Sequence, residues 1–225
     1  MDNIKPNNWK NFEKFALPMI LLFVLINSLV KNDSLAATVN ALCGITYTFI
    51  AGKGNPICYL FGVIGSCFYC FLALKNALWG NLLLYSSYYI PMQIIGYFKW
   101  NKNLKDNKKD IVKIELPLKE NLIILLIVSI LVLIVMQLLI LLKGSNPVLD
   151  SVTMVMSIAG MYLTVKRAAE QWIYWAVVNF LSLIMWINVL LSGAKVYSTV
   201  IMWGVYLILS FYFYINWKKE IKNHI

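Results

Sequence analysis

Charged residues are scarce in this 225-residue chain, because Asp, Glu, Lys and Arg make up only 13% of it, against 60% hydrophobic residues. The mean hydropathy of +0.71 is too apolar for a single water-soluble core of this size. These proportions exclude an ordinary soluble domain. They predict an all-α polytopic membrane protein whose helices cross the lipid bilayer.

Ionisable side chains are also missing from the interior of the long apolar runs, and the one histidine, His224, lies beside the C-terminus. Ion-coupled pumps usually place such groups inside the membrane. The chain has no phosphate-binding P-loop, and no nucleophile with a base or set of metal ligands for catalysis. We therefore expect no enzyme activity, no metal and no cofactor. Cys67-x-x-Cys70 lies in an apolar helix and is read as packing rather than redox chemistry.

Eight apolar runs are long enough for a helix to cross about 30 Å of hydrocarbon. They cover residues 15–30, 35–51, 56–74, 78–98, 122–142, 147–165, 171–191 and 196–217. The first lacks a small-residue cleavage site, so we read it as a retained helix rather than a signal peptide. The chain then divides into 1–34 (tail and first helix), 35–100 (a three-helix bundle), 101–146 (basic loop and connector helix), 147–217 (a second three-helix bundle) and 218–225 (tail).

Basic residues fall mainly on one side of the membrane when successive gaps are assigned to alternating sides. That side holds 16 of the 20 basic residues, and the other holds Lys31, Lys75, Lys143 and Lys195. The positive-inside rule places both termini and the 99–119 loop in the cytoplasm, with the loop expected to be a solvated connection. The net charge of +10 then serves topology and contact with anionic lipid headgroups, and no nucleic-acid partner is expected.

A weak internal repeat relates the two halves. At an offset of 117 residues three aromatic pairs coincide, namely Tyr89 with Tyr206, Tyr97 with Tyr214 and Trp100 with Trp217. At an offset of 116, Gly44 matches Gly160, Thr48 matches Thr164 and Asn55 falls opposite Gln171. Because one additional crossing separates the two triplets, the repeats should be parallel, as in transporter folds that bind substrate at the repeat interface.

Polar and aromatic residues form stripes on several spans. Span 171–191 carries Trp172, Trp175, Asn179, Ser182 and Trp186 on one helical face. Lipid offers an amide no hydrogen-bond partner, so this face should point to protein, a cavity or a ligand. Three further stripes are Asn40, Gly44 and Tyr47; Tyr85, Tyr89 and Gln93; and Trp203, Tyr206 and Ser210.

Such stripes suit a planar heteroaromatic ligand, particularly a pyridinium or thiazolium cation, which would stack on the rings and hydrogen-bond the amides. The predicted substrate-binding residues are Asn40, Tyr85, Tyr89, Gln93, Gln137, Trp175, Asn179, Trp186, Asn188 and Tyr206. Of these, Asn188 and Gln137 read equally well as interhelical hydrogen-bonding residues. An aromatic belt at the membrane interface is expected to hold Trp100, Trp172, Trp217, Tyr97 and Tyr214.

Several of these residues fall in longer motifs. Trp172-x-x-Trp175-x-x-Val178-Asn179 is followed by Gly193, Tyr197, Tyr206 and Trp217-Lys218-Lys219, and Pro91-Met92-Gln93-Ile94-Ile95-Gly96-Tyr97-Phe98-x-Trp100 precedes them. In these motifs, and over roughly residues 35–219, the chain resembles the PnuC family of vitamin transporters, the nicotinamide riboside transporters.

This resemblance implies a SWEET-like architecture in which a connector helix joins two parallel three-helix bundles, preceded by an additional N-terminal helix. It also implies a homotrimer in the bacterial cytoplasmic membrane. The implied activity is facilitated diffusion of nicotinamide riboside, a form of vitamin B3 used in NAD biosynthesis, which a cytoplasmic kinase traps by phosphorylation. The lack of ionisable residues deep in the spans is what a passive uniporter would need.

Three alternatives stay open. The cargo could be thiamine or riboflavin, carried by a transporter of the same family. A SWEET-like sugar facilitator is disfavoured, because sugar sites do not require so many aromatic residues on several helices. A membrane sorting receptor of similar fold would hold a ligand without releasing it across the bilayer.

Overall fold

The computed structural model describes residues 10–75, 79–104, 110–143 and 147–223. All regular elements in these residues are helices, and the described chain contains no β-strand beyond two isolated bridges. The helices are α1 (Asn11–Lys31), α2 (Leu35–Lys53), α3 (Cys58–Lys75), α4 (Trp79–Leu84), α5 (Ile90–Asn101), α6 (Leu118–Leu141), α7 (Pro147–Lys166), α8 (Gln171–Leu191) and α9 (Tyr197–Lys222). A π-helical segment, Tyr85–Tyr89, joins α4 to α5.

Six of these helices, α1, α2 and α6 to α9, are long and apolar enough to cross a membrane, and α3 contains a shorter apolar stretch. The predicted span 171–191 coincides with α8, and 35–51 lies within α2. Residue 78, the predicted start of the fourth span, lies outside the described residues. The rest of that span is interrupted by the π-helical turn just before Pro91, whose ring removes a backbone donor and crowds the preceding turn.

Helix packing is reciprocal between the two predicted bundles. α2 packs against α3, and α7 packs in the same way against α8. The first helix of each bundle also contacts the last helix of the other, since α2 packs on α9 and α7 packs on α5. α1 lies against α2 and α9, while α6 lies against α7. The space enclosed by α2, α3, α5, α7, α8 and α9 is therefore bounded by both bundles.

A connecting segment, residues 110–117, crosses the ends of both bundles. Ile111 donates its backbone N–H to the Gly54 carbonyl after α2 (2.9 Å), and Ile114 donates to the Arg167 carbonyl after α7 (3.0 Å). Ile111 is 0% exposed and Leu116 is 6% exposed. The prediction of a solvated loop is thus wrong for this segment, because Ile111 and Leu116 are buried and its backbone is bonded to both helix ends, although Val112 is 46% exposed. Residues 105–109 lie outside the described part.

Tryptophans predicted for the interfacial belt lie instead in an apolar cluster at the same end of the bundles. Trp100 and Trp217 are fully buried and Trp172 is 3% exposed, in contact with Tyr59 and Phe213. The belt prediction is wrong for these three residues, since their position near a span end fixes depth in the membrane but not whether the ring faces lipid or protein. Tyr97, at 43% exposure, does face outward.

Candidate binding cavity

A cavity of about 540 Å³ lies between the helices of the two bundles. Its volume is within the range of roughly 300–1,000 Å³ that small-molecule sites usually occupy. One end is lined by Thr164, Gln171 and Trp172, and the other by Leu149 and Asp150. Fourteen residues of α7 separate Asp150 from Thr164, so the cavity extends about 21 Å along the helix axis.

Helix α8 contributes the predicted stripe. Trp172, Trp175, Asn179 and Ser182 all line the cavity, as their spacing on one helical face requires. The Trp175 indole N–H donates to Thr164 Oγ1 (2.9 Å), and Asn179 Nδ2 donates to Ser210 Oγ (2.9 Å). Both side chains are therefore held in fixed orientations by α7 and α9.

Amide groups also approach from the first bundle. Gln93 lines the cavity, and its Nε2 donates to Ser66 Oγ at 3.0 Å. Asn40 lines it from α2, where its Nδ2 is 3.7 Å from Met202 Sδ. Asn40, Gln93 and Asn179 are only 6%, 6% and 3% exposed, and Gln171 is 1% exposed, so four buried carboxamides on three helices line the cavity.

Aromatic rings form much of the remaining wall. Tyr69 and Tyr85 stack at 4.1 Å between centroids, Tyr89 meets Tyr85 edge-on at 4.6 Å, and the rings of Tyr89 and Trp175 are 6.3 Å apart. Tyr85 and Tyr89 belong to the π-helical turn, which places both of them on the cavity side. Such a wall offers flat surfaces to a planar ring.

Two glycines related by the repeat make room for these rings. A Cβ at Gly160 would lie 3.1 Å from Cε2 of Trp175, and a Cβ at Gly44 would lie 3.0 Å from Cζ of Tyr206. Each bundle thus places a glycine of its first helix opposite a cavity aromatic. The sequence match of Gly44 with Gly160 has a structural counterpart in these contacts.

Several buried polar atoms at the cavity lack a protein partner. In the described part of the chain, Tyr47 Oη, Gln171 Nε2, Trp172 Nε1 and Trp203 Nε1 are buried without a hydrogen bond, and all four residues line the cavity. A buried polar group left unsatisfied costs about 1–3 kcal/mol. Such groups concentrated around one cavity are suited to bind a polar ligand or the water that it displaces.

Charge in the cavity is confined to one group. Among the described lining residues Asp150 is the only acidic one, and none is lysine, arginine or histidine. Glu170, close to the opposite end, is not a lining residue, and its carboxylate instead accepts from Lys218 Nζ (3.2 Å) and the Leu116 backbone N–H (3.2 Å).

The end of the cavity near Trp172 is closed by the aromatic cluster. The Trp100 indole donates to the Thr164 carbonyl (2.9 Å), and the Trp217 indole donates to the Gly52 carbonyl (2.6 Å). Each hydrogen bond joins the last helix of one bundle to the first helix of the other. Trp172 packs edge-on against Trp217 with centroids 5.7 Å apart.

Seven of the ten predicted site residues line the cavity: Asn40, Tyr85, Tyr89, Gln93, Trp175, Asn179 and Tyr206. The structure does not bring Trp186, Asn188 or Gln137 to it. Trp186 shares the α8 face but is packed in an apolar cluster with Val24 and other residues. Asn188 and Gln137 are exposed on α8 and α6, because neither lies on the helix face that meets the cavity.

Other lining residues were not predicted. The α3 residues Gly62, Gly65, Ser66 and Tyr69 follow helical spacing, and this stripe could have been recognised. The repeat pointed to Thr164 and Gln171, through their matches with Thr48 and Asn55, without assigning them to a site. Asp150, near the start of the predicted span 147–165, was not among the predicted site residues.

The chain was compared with known proteins. A family model described as nicotinamide mononucleotide transporter matches residues 34–219. The nicotinamide riboside transporter PnuC of Neisseria mucosa is 31% identical over 221 residues, covering 96% of this chain and 84% of that protein. The Haemophilus influenzae protein of the same name is 28% identical over 219 residues, covering 96% and 94%. A crystal structure of the vitamin B3 transporter PnuC superposes with a TM-score of 0.86 and 30% identity, covering 97% of this chain and 95% of that one.

Proposed function

Because this chain belongs to the PnuC family of nicotinamide riboside transporters, we propose that it carries nicotinamide riboside across the bacterial cytoplasmic membrane by facilitated diffusion. Its relatives are named as transporters rather than enzymes. In this proposal the vitamin enters the cavity between the two bundles, and a cytoplasmic kinase traps it by phosphorylation after release.

The observation that carries this proposal is the combination of aromatic walls with unpartnered buried polar atoms in one cavity. Nicotinamide riboside has a pyridinium ring, a carboxamide and ribose hydroxyls. The ring would stack near Trp175 and Tyr89, where aromatic faces also attract a cation. The carboxamide and hydroxyls would bond the amides of Asn179 and Gln93 and the unpartnered donors.

The composition of the cavity lining favours the riboside over its phosphorylated form, the mononucleotide named in the description of the family model. Phosphate sites usually present arginine, lysine or several backbone donors. No basic residue is found among the described residues that line this cavity, whereas one carboxylate is. A phosphate dianion would therefore enter without a basic counter-charge and would be repelled by this carboxylate. The carboxylate would instead attract a pyridinium cation.

Passive transport is supported by the placement of the lysines and glutamates. In the described chain the glutamates pair with lysines near helix ends, as Lys53 does with Glu13 and Lys113 with Glu220. None of these pairs lines the cavity. Ion-coupled transporters usually place ionisable groups deep inside the membrane, whereas the one lining carboxylate among the described residues, Asp150, lies in the first turn of α7 at one end of the cavity.

We further propose eight membrane spans arranged as two parallel SWEET-like repeats, with the α4–α5 helix as the fourth span. The reciprocal contacts of α2 with α9 and α7 with α5 support this arrangement. The 16 basic residues on one side support cytoplasmic termini. A homotrimer is proposed from the family resemblance, and the exposed amide of Gln137 on the very apolar α6 would suit a subunit contact better than lipid.

Calorimetric titration of the purified protein with nicotinamide riboside, nicotinamide mononucleotide, thiamine and riboflavin tests the cargo. We expect the riboside to bind at least tenfold more tightly than the mononucleotide. Thiamine shares a cationic ring but lacks the carboxamide, so it should bind more weakly than the riboside. Tighter binding of any other member of this panel would overturn the proposed cargo, and tight mononucleotide binding would contradict the charge argument.

A further inference from the structure

Asp150 differs from the other acidic residues that the structure describes. The glutamates pair with lysines, as Glu120 does with Lys166 at 3.1 Å, and Asp33 accepts the Ser198 backbone N–H at 2.7 Å. Asp110 also has a partner. Within the described residues the Asp150 carboxylate has neither an ion-pair nor a hydrogen-bond partner. It is the acidic side chain left available to a ligand.

Its position suits an electrostatic role at one end of the cavity. Asp150 lies in the first turn of α7, half-buried, at the end of the cavity away from Trp172. The positive end of the helix dipole stabilises a carboxylate there. The adjacent lining residues Leu139, Leu149 and Met154 are apolar and form a wall of low dielectric constant, which strengthens the field of a single charge.

We propose that Asp150 selects for the positive charge of the cargo, attracting a pyridinium cation into the cavity through the end that Leu149 and Met154 line. This inference rests on the proposed transport of nicotinamide riboside. Gly160, the residue opposite Trp175, is ten positions along α7 from Asp150, so the stacked ring would lie about 15 Å from the carboxylate. At an effective dielectric constant near 20, two unit charges at that distance change affinity by roughly sixfold. The effect should act on the ring charge alone, because at this distance the carboxylate contacts neither the stacked ring nor the carboxamide and hydroxyls of the ligand.

The test compares two forms of one ligand. Nicotinamide riboside carries a cationic ring, whereas its reduced 1,4-dihydropyridine form is neutral and has nearly the same size and polar groups. Both are titrated into wild type, Asp150→Asn and Asp150→Glu, each first shown to elute as one species in detergent. The asparagine variant keeps the shape of the side chain, and the glutamate variant keeps its charge.

We expect Asp150→Asn to bind the cation roughly sixfold more weakly and the neutral form within twofold of wild type. Asp150→Glu should retain most of the affinity for the cation. The difference between the two ligand forms should also narrow at 0.5 M salt, since a half-exposed charge is screened. Equal losses for both forms, or no loss for the cation, would overturn the role of Asp150. Failure of wild type to bind either form would refute the proposed function itself.

Discussion

Replacing Asn179 with leucine removes an amide from the middle of the cavity wall while keeping a side chain of similar volume. Asn179 is 3% exposed, and its Nδ2 donates to Ser210 Oγ, so its carbonyl oxygen is directed by that bond and is available to a ligand. Ser210 keeps its own bond to the Tyr206 carbonyl (2.8 Å) in the variant. The fold should therefore lose about 1 kcal/mol, the net contribution of one hydrogen bond.

Ligand binding should suffer more than folding. A ligand group left without its partner in a buried site costs about 1–3 kcal/mol, which corresponds to roughly 5- to 150-fold in the dissociation constant for nicotinamide riboside. Isothermal calorimetry on detergent-purified protein measures this directly. The loss should appear for both the cationic and the reduced form of the riboside, because the amide binds polar groups and not the ring charge.

Asn188→Leu is the matched control, since it makes the same chemical change on the same helix at an exposed position away from the cavity. We expect its affinity to stay within twofold of wild type. An unchanged affinity in Asn179→Leu, or equal losses in Asn179→Leu and Asn188→Leu, would show that Asn179 serves helix packing and does not bind the cargo.

Three further predictions concern other parts of the molecule. Trp175→Ala should weaken riboside binding by about 1–3 kcal/mol through loss of a stacking surface, whereas Trp186→Ala, outside the cavity, should lower the unfolding temperature with little change in affinity. Calorimetry measures the affinities and thermal unfolding measures the stabilities, and the reverse pattern would contradict the cavity assignment. Glu13→Gln should lower stability by about 3 kcal/mol, because it removes the buried carboxylate that pairs with Lys53. A further Lys53→Met change should recover part of the loss in thermal unfolding, and additive losses would argue against a coupled pair. A single cysteine at exposed Lys102, which we place on the cytoplasmic side, should resist an impermeant maleimide in intact cells when the native cysteines are absent. Labelling of this cysteine would contradict the proposed orientation.

Helix positions and helix faces could be predicted from sequence because both depend on local periodicity. The apolar run of 171–191 set the bounds of α8, and the i, i+3, i+7 spacing placed Trp172, Trp175 and Asn179 on one side. Spacing gives direction around a helix, however, and not how far along the helix the cavity extends. Trp186 lies on the same face but is packed in the adjacent apolar cluster.

Features that depend on contacts between distant segments were not predictable in this way. The segment 110–117 belongs to the lysine-rich stretch 99–119, which reads as a loop, but its burial depends on hydrogen bonds to Gly54 and Arg167, far away in sequence. The burial of Trp100 and Trp217 likewise depends on carbonyl groups of the opposite bundle. A position near a span end cannot distinguish a ring facing lipid from one facing another helix.

Uptake of radiolabelled nicotinamide riboside into sealed vesicles containing the purified protein tests the central claim most directly. With the membrane potential clamped at zero and no proton or sodium gradient, we expect saturable uptake that stops when the inside and outside concentrations are equal. An imposed potential should then redistribute the cation by about 2.3 kcal/mol per 100 mV. Uptake no faster than in protein-free vesicles, or accumulation driven by a pH or sodium gradient at zero potential, would contradict facilitated diffusion of this vitamin.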